Sequence, residues 1–99
     1  MKLGRIVGTV VSTRKDEKLR SLKLYVVRDL SMEMGDKDSF VVAADSVGAG
    51  VGEVVLYASG SSARQTNMTD KRPVDAAVMA IVDIMDVDGK VVYDKTQDG

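Results

Sequence analysis

The sequence predicts a mainly β protein: a small OB-like β-barrel of five or six strands with one short helix and a C-terminal hairpin. Three observations carry that expectation. Val and Ile fall in short runs punctuated by turn residues, LKLYVVRD alternates with the period of a strand, and Asp88-Gly89 separates two apolar runs at hairpin spacing. The 99 residues make a single domain, 1–99. A domain this short buries only about two-thirds of its unfolded surface, so its core is modest. With three Tyr, one Phe and no Trp, that core is built from Val, Leu, Ile, Met and Ala.

The elements follow in order. GRIVGTVVSTRK is a long first strand, with its turn over Asp16 to Ser21. LKLYVVRD comes next, with Leu22, Leu24 and Val26 on one face and Lys23, Tyr25 and Val27 on the other. LSMEMGDKD, Leu30 to Asp38, is polar and reads as a loop. SFVVAAD and EVVLYAS are strands flanking VGAGVGE, Val47 to Glu53, and Gly60 to Arg72 is polar and irregular. Pro73 suits the first turn of a helix, where its missing N–H is not needed, and this places the helix over about Val74 to Ala80. IVDIMDV and KVVYD form a hairpin of the type I′ kind, and residues 96–99 are a frayed tail.

Composition narrows the function. There is no Cys, which excludes disulfides and thiolate zinc sites, and no His, which removes the commonest general base and transition-metal ligand. Fourteen basic against fifteen acidic residues lack the excess positive charge on which nucleic-acid affinity rests. Arg5 and two glycines interrupt what would be the apolar core of a signal peptide, and no apolar run reaches the length of a membrane span. The expectation is a soluble cytoplasmic protein that is not an enzyme.

The motifs agree. VGAGVGE puts three glycines into seven residues, as phosphate-binding loops do. A dinucleotide fingerprint, however, needs G-x-G-x-x-G at the start of a helix, whereas Gly48, Gly50 and Gly52 are spaced G-x-G-x-G and run into a strand. A tight connection between strands, or close approach of another backbone, fits better. GSSAR, Gly60 to Arg64, has no His to activate Ser62 and lacks the second glycine of G-x-S-x-G. DIMDVDGK resembles a calcium loop, but with Gly89 at loop position six the first ligand position falls on Ile84 and the twelfth on Lys95. An OB-like barrel also suggests a binding module for single-stranded nucleic acid or another small ligand, by analogy of fold alone. Four scattered aromatics, Tyr25, Phe40, Tyr57 and Tyr93, do not make the stacking surface such binding uses.

Ile6, Val7, Val10 and Val11, and likewise Val54, Val55 and Leu56, make two strands apolar on both faces. A small barrel has one interior. The second face is covered either by another subunit or by the chain's own helix and C-terminal hairpin.

MKLGRIVGTVVSTRK, LKL, VAADSVGAGVGEVVL, GSSAR and PVDAAVMAIVD, in this order and spacing, resemble the EutN/CcmL family of bacterial microcompartment vertex proteins. The match runs from Met1 to about Asp83, and the succession of D-S-V-G-A-G-V-G-E, G-S-S-A-R and P-V-D-A-A is highly specific. The resemblance implies an OB-like barrel that forms a homopentamer at the vertices of a polyhedral shell. Its partners would be hexameric and trimeric shell proteins, with no reaction, cofactor, metal, nucleic acid or membrane. It places Gly48, Ala49 and Gly50 where subunits crowd, and Gly60, Ser61, Ser62 and Arg64 near the five-fold axis. Arg64 then braces either the interface or its own subunit.

Overall fold

β1 (Lys2–Val10) is the strand on which the barrel closes. It pairs antiparallel with β2 (Leu24–Leu30) on one side and with β4 (Val54–Ser59) on the other. β3 (Asp36–Asp45) continues from β2, and β5 (Ala76–Ile81) fills the remaining gap. β5 runs parallel to β3, with Ala44 opposite Ala77, and antiparallel to β4. The closed order is therefore β1-β2-β3-β5-β4, a five-stranded barrel without an open edge. The computed structural model describes residues 1–11, 23–60 and 75–98. The expected turn over Asp16 to Ser21 lies outside these residues, as does most of the irregular stretch after Gly60.

The interior follows from strand alternation. Ile6, Tyr25, Val27, Ala43, Val55, Tyr57, Ala76 and Val78 point inwards and form one buried cluster, joined by Ala49 from the loop between β3 and β4. The registers Ile6↔Val27↔Val41 lay one such row across three strands. β1 carries a bulge after Ile6, which leaves Val7 exposed. Bulges of this kind bend a strand and let a short barrel curve shut.

Two expectations are corrected here. The helix expected over Val74 to Ala80 is absent: Ala76–Ile81 is a strand, and Val74 lies outside the described residues. Ala has the highest helix propensity, but Ala76, Ala77 and Val78 are each buried between β3 and β4. A strand covered on both faces shows no alternation, so its period is invisible in the sequence. The loop expected over Leu30 to Asp38 is also shorter, since Leu30 closes β2 and Asp36 opens β3. The turn between them is fixed by Ser31, whose carbonyl accepts from Met34 N–H and whose Oγ accepts from Gly35 N–H.

β6 (Ile84–Val87) and β7 (Lys90–Asp94) form the expected hairpin. Asp88 and Gly89 have φ of 53° and 78°, the left-handed pair that a type I′ turn requires. Lys95–Asp98 then forms one helical turn, α1, capped by Asp94, whose Oδ1 accepts from Thr96 N–H and Oγ1. The tail expected from residue 96 thus begins inside this turn.

The hairpin lies against the outside of the barrel. Tyr93 is buried with Leu3, Leu30 and Val54 in a second cluster, flanked by Leu56, Val82 and Met85. The Arg5 guanidinium sits over the Tyr93 ring at 6.0 Å from its centre. The chain therefore covers the outer face of β1 and β4 itself. It does not cover Phe40 and Val42 on β3, which are 55% and 51% exposed, or Val7 on β1. Replacing Tyr93 with Ala empties the second cluster and should lower the unfolding free energy by about 3 kcal/mol, read from urea unfolding at fixed protein concentration. An unchanged transition would show that the hairpin rests on the barrel without stabilising it.

Candidate functional site

The glycine-rich segment is the loop that carries the chain from β3 to β4, and a carboxylate organises it. Asp45, the last residue of β3, is buried and turns its side chain back into the loop. Its Oδ1 accepts from the N–H groups of Val47 (3.0 Å), Gly48 (3.1 Å) and Ala49 (3.3 Å), and its Oδ2 also accepts from Gly48 N–H at 3.1 Å. Successive N–H groups converging on one point make the cradle that phosphate-binding loops offer to an anion. Here the protein's own carboxylate occupies it. Charge-assisted bonds of this kind are stronger than neutral ones, so the loop is held firmly at its start.

The rest of the loop is tied to three other parts of the chain. The Tyr25 hydroxyl donates to the Ala49 carbonyl at 2.6 Å, and the Ser46 hydroxyl donates to the Val78 carbonyl. Gly52 N–H donates to the Ile6 carbonyl at 2.8 Å, and the Gly52 carbonyl accepts from Arg5 Nη1 at 2.8 Å. Gly48 and Gly52 have φ of 78° and 95°, where a side chain would strain the backbone. Both turns therefore need glycine for conformation. Ala49 is different. Its side chain is buried in the barrel's own interior, so its small size is already set by packing within the subunit.

Glu53 closes the loop. Its Oε1 accepts from Gly50 N–H at 2.7 Å, and its Oε2 is 2.5 Å from Lys95 Nζ. This ion pair joins the loop to the turn of α1, across 42 residues of sequence. The hydrogen bond from Lys95 is the main reason the Glu53 carboxyl is held below the ordinary glutamate range, with Gly50 N–H adding to it. The bond to Glu53 correspondingly raises Lys95.

A third carboxylate anchors the opposite end of the barrel. Asp29 accepts from Ser39 Oγ at 2.5 Å and from the Tyr57 hydroxyl. Burial alone would raise Asp29, but the Ser39 and Tyr57 hydroxyls and the charges of Lys2 and Lys37 outweigh it and hold the carboxyl low. Burial, and then the bond to Asp29, push the Tyr57 phenol up, so it stays a protonated donor.

The chain matches the family model described as "Ethanolamine utilisation protein EutN/carboxysome" (EutN_CcmL) over residues 1–83. The chain belongs to the EutN/CcmL family. The carboxysome shell vertex protein CcmL of Synechococcus elongatus is 45% identical over 97 residues, covering 98% of each chain. The solved structure of CcmL from Gloeobacter violaceus superposes with a TM-score of 0.92 at 41% identity, covering 97% of this chain and 99% of that one. A second structure, described as the GrpN pentameric microcompartment shell protein from Rhodospirillum rubrum, gives a TM-score of 0.80 at 46% identity, over 88% of this chain and 99% of that one.

The EutN/CcmL model ends at residue 83, while the hairpin and α1 that cover the outer face of β1 and β4 begin after it. Of the residues singled out from the sequence, Gly48, Ala49 and Gly50 share the loop after β3. Gly60 lies apart from them, at the far end of β4, with its N–H donating to the Asp75 carbonyl at 2.8 Å. Ser61, Ser62 and Arg64 lie outside the described residues. The sequence reading missed Asp45 as the residue that shapes the loop. The signal was available, since an Asp just before a glycine turn commonly bonds the backbone two residues on.

Asp45→Ala strips three N–H groups of their acceptor and should cost about 3 kcal/mol, seen as a lower unfolding midpoint with faster amide exchange at Val47 to Ala49. The Glu53–Lys95 pair predicts a pH window. A depressed carboxyl stabilises the fold above its unfolded value of about 4.3 and loses that contribution as pH falls through the lower folded value. The raised Lys95 contributes below its unfolded value of about 10.4 and loses it as pH rises through the folded value. Lys95→Met should therefore return the Glu53 carboxyl towards the ordinary range in a carbon-detected NMR titration. An unmoved titration would mean that Gly50 alone sets it.

Proposed function

We propose that this chain is a structural protein of a bacterial microcompartment shell, in the cytoplasm, where five copies form a ring that caps a five-fold vertex. The observation that carries this reading is likeness along nearly the whole chain to proteins named shell vertex proteins, one of them solved as a pentamer. No reaction, metal or cofactor is part of the proposed role. A surface tiled only by flat six-fold units extends as sheets or tubes, and closure on all sides requires units of lower symmetry. A five-fold ring supplies that wedge between hexameric and trimeric shell proteins.

A ring of identical subunits uses head-to-tail contacts, in which two different surfaces of one chain meet. The side chains available for this are those the chain leaves uncovered. Val47 and Val51 are 40% and 59% exposed on the glycine-rich loop, and Phe40, Val42 and Val7 lie uncovered on β3 and β1. In this reading Gly48 and Gly50 give the loop its close approach to the neighbour, while Ala49, expected there from the sequence, packs into its own barrel. Gly60, Ser61, Ser62 and Arg64 border a narrow polar opening on the axis.

The alternative, a single-strand binding module, finds little support. Tyr25, Tyr57 and Tyr93 are buried, and the fourth aromatic, Phe40, has the Arg28 guanidinium over its ring at 5.1 Å. Bases would have no exposed row of rings on which to stack.

Native mass spectrometry should give five subunits. Val51→Glu places a charge on an exposed loop position and should shift the assembly towards monomers whose circular dichroism is unchanged; an intact ring would remove the loop from the interface. For the vertex role itself, cells lacking this chain and any paralogue should make elongated or leaky shells around enzymes of normal activity. Sealed polyhedra at normal yield would overturn it.

A further inference from the structure

Beside Asp29, where β1 begins and β2 ends, the surface opens into a cleft of about 250 Å³. It is lined by Lys2 from β1, Asp29 and Leu30 from β2, Met32 from the turn, and Lys37 and Ser39 from β3. The Asp29 carboxylate is already committed: one oxygen accepts from Ser39 Oγ and the other from the Tyr57 hydroxyl. Ser39 spends its proton in that bond. Lys2 and Lys37 are both exposed, and neither forms an ion pair with another described residue. Two ammonium side chains against one carboxylate leave a net charge of +1, and Met1, which also lines the cleft, brings its α-ammonium group to the same surface. Leu30 is buried at the floor, and Met32, 54% exposed, adds an adaptable apolar wall.

We propose that this cleft binds a carboxylate carrying a short hydrocarbon group, the charge held between Lys2 and Lys37 and the hydrocarbon against Leu30 and Met32. The chemistry excludes the neighbouring classes of ligand. A metal ion or ammonium would meet two lysines and find both oxygens of Asp29 engaged. A phosphate dianion could meet the same two lysines as point charges, but it has nothing to lay against Leu30 and Met32. A monocarboxylate asks for one or two point charges and an apolar surface, which is what the cleft offers. The volume suits a small ligand or a single chain terminus, being just below the range of ordinary small-molecule sites. The inference stands on the barrel alone and does not depend on the vertex reading.

The test uses the assembled protein labelled at its methionine methyl groups. Butanoate, butan-1-ol and butylammonium are titrated separately at constant ionic strength. Butanoate should shift the Met32 methyl saturably and leave Met79, which lines neither the cleft nor the cluster beneath it, unmoved. Lys2→Gln combined with Lys37→Gln should weaken this binding by about tenfold or more, and Lys→Arg at both positions should restore most of it. Both side chains are exposed, so these variants keep the fold, which Met79 and Met85 report. A leucine-terminated tripeptide, free or amidated, separates two sources of the carboxylate. If the free form binds tighter than butanoate, the ligand is a protein C-terminus; if weaker, it is a free small acid. No saturable shift at Met32, equal binding of butan-1-ol, or tighter binding of butylammonium would each overturn the proposal.

Discussion

Five short strands closed on themselves enclose one interior, and every apolar side chain that points outwards must find cover elsewhere. The whole molecule is organised by this constraint. Inside, the space is small and is filled by Ile6, Val, Ala and two tyrosines whose hydroxyls reach acceptors at opposite ends, Tyr25 at the Ala49 carbonyl and Tyr57 at Asp29. Each ring thus buries its apolar body and satisfies its polar tip. Outside, the C-terminal hairpin covers β1 and β4 through Tyr93, while Phe40, Val42 and Val7 stay uncovered. Of the two explanations open at the level of sequence for β1 and β4, the covering hairpin accounts for the faces that carry Leu3 and Val54, while Val7 on β1 stays exposed.

The glycine-rich loop shows how one motif can imitate a chemistry it does not perform. Phosphate loops and this loop share the same physics: backbone N–H groups gathered by left-handed turns around a negative charge. In a nucleotide site the charge arrives with the ligand. Here it is Asp45, supplied by the preceding strand, and the gain is a rigid crossing from β3 to β4. Glu53 repeats the device at the other end, one oxygen on Gly50 N–H and the other on Lys95. A loop with acidic anchors at both ends has a fixed shape, and a fixed shape is what an assembling surface requires, because it lowers the ordering cost of association.

Strands with one covered face were legible in the sequence, because period-2 alternation survives there: β2 separates Tyr25 and Val27 inside from Leu24 and Val26 outside. The hairpin was legible too, since Asp88-Gly89 has few other uses. β5 was not. Ala76 and Val78 are buried in the interior and Ala77 is buried on the other face, and small residues on a strand buried on both faces carry the same letters as a good helix. The Glu53–Lys95 pair was hidden for another reason, since partners 42 residues apart leave no local pattern. The glycines of the loop were legible as a turn, but what holds the turn became visible only with the direction of the Asp45 side chain.

That direction also separates folding from assembly within a single loop. Ala49 faces inwards among the barrel's core residues, so enlarging it strains the subunit before any contact with a neighbour is made. Val47 and Val51, on either side of it, face outwards and leave the interior untouched. An apolar side chain kept exposed beside a loop this firmly anchored costs solubility in the free subunit and returns nothing to its fold. Cover by a neighbouring subunit would remove that cost. The same holds for Phe40 and Val42 on the uncovered strand, and the loop and that strand are different surfaces. Two separate apolar surfaces on one chain are the condition for a head-to-tail ring, since a two-fold dimer needs only one.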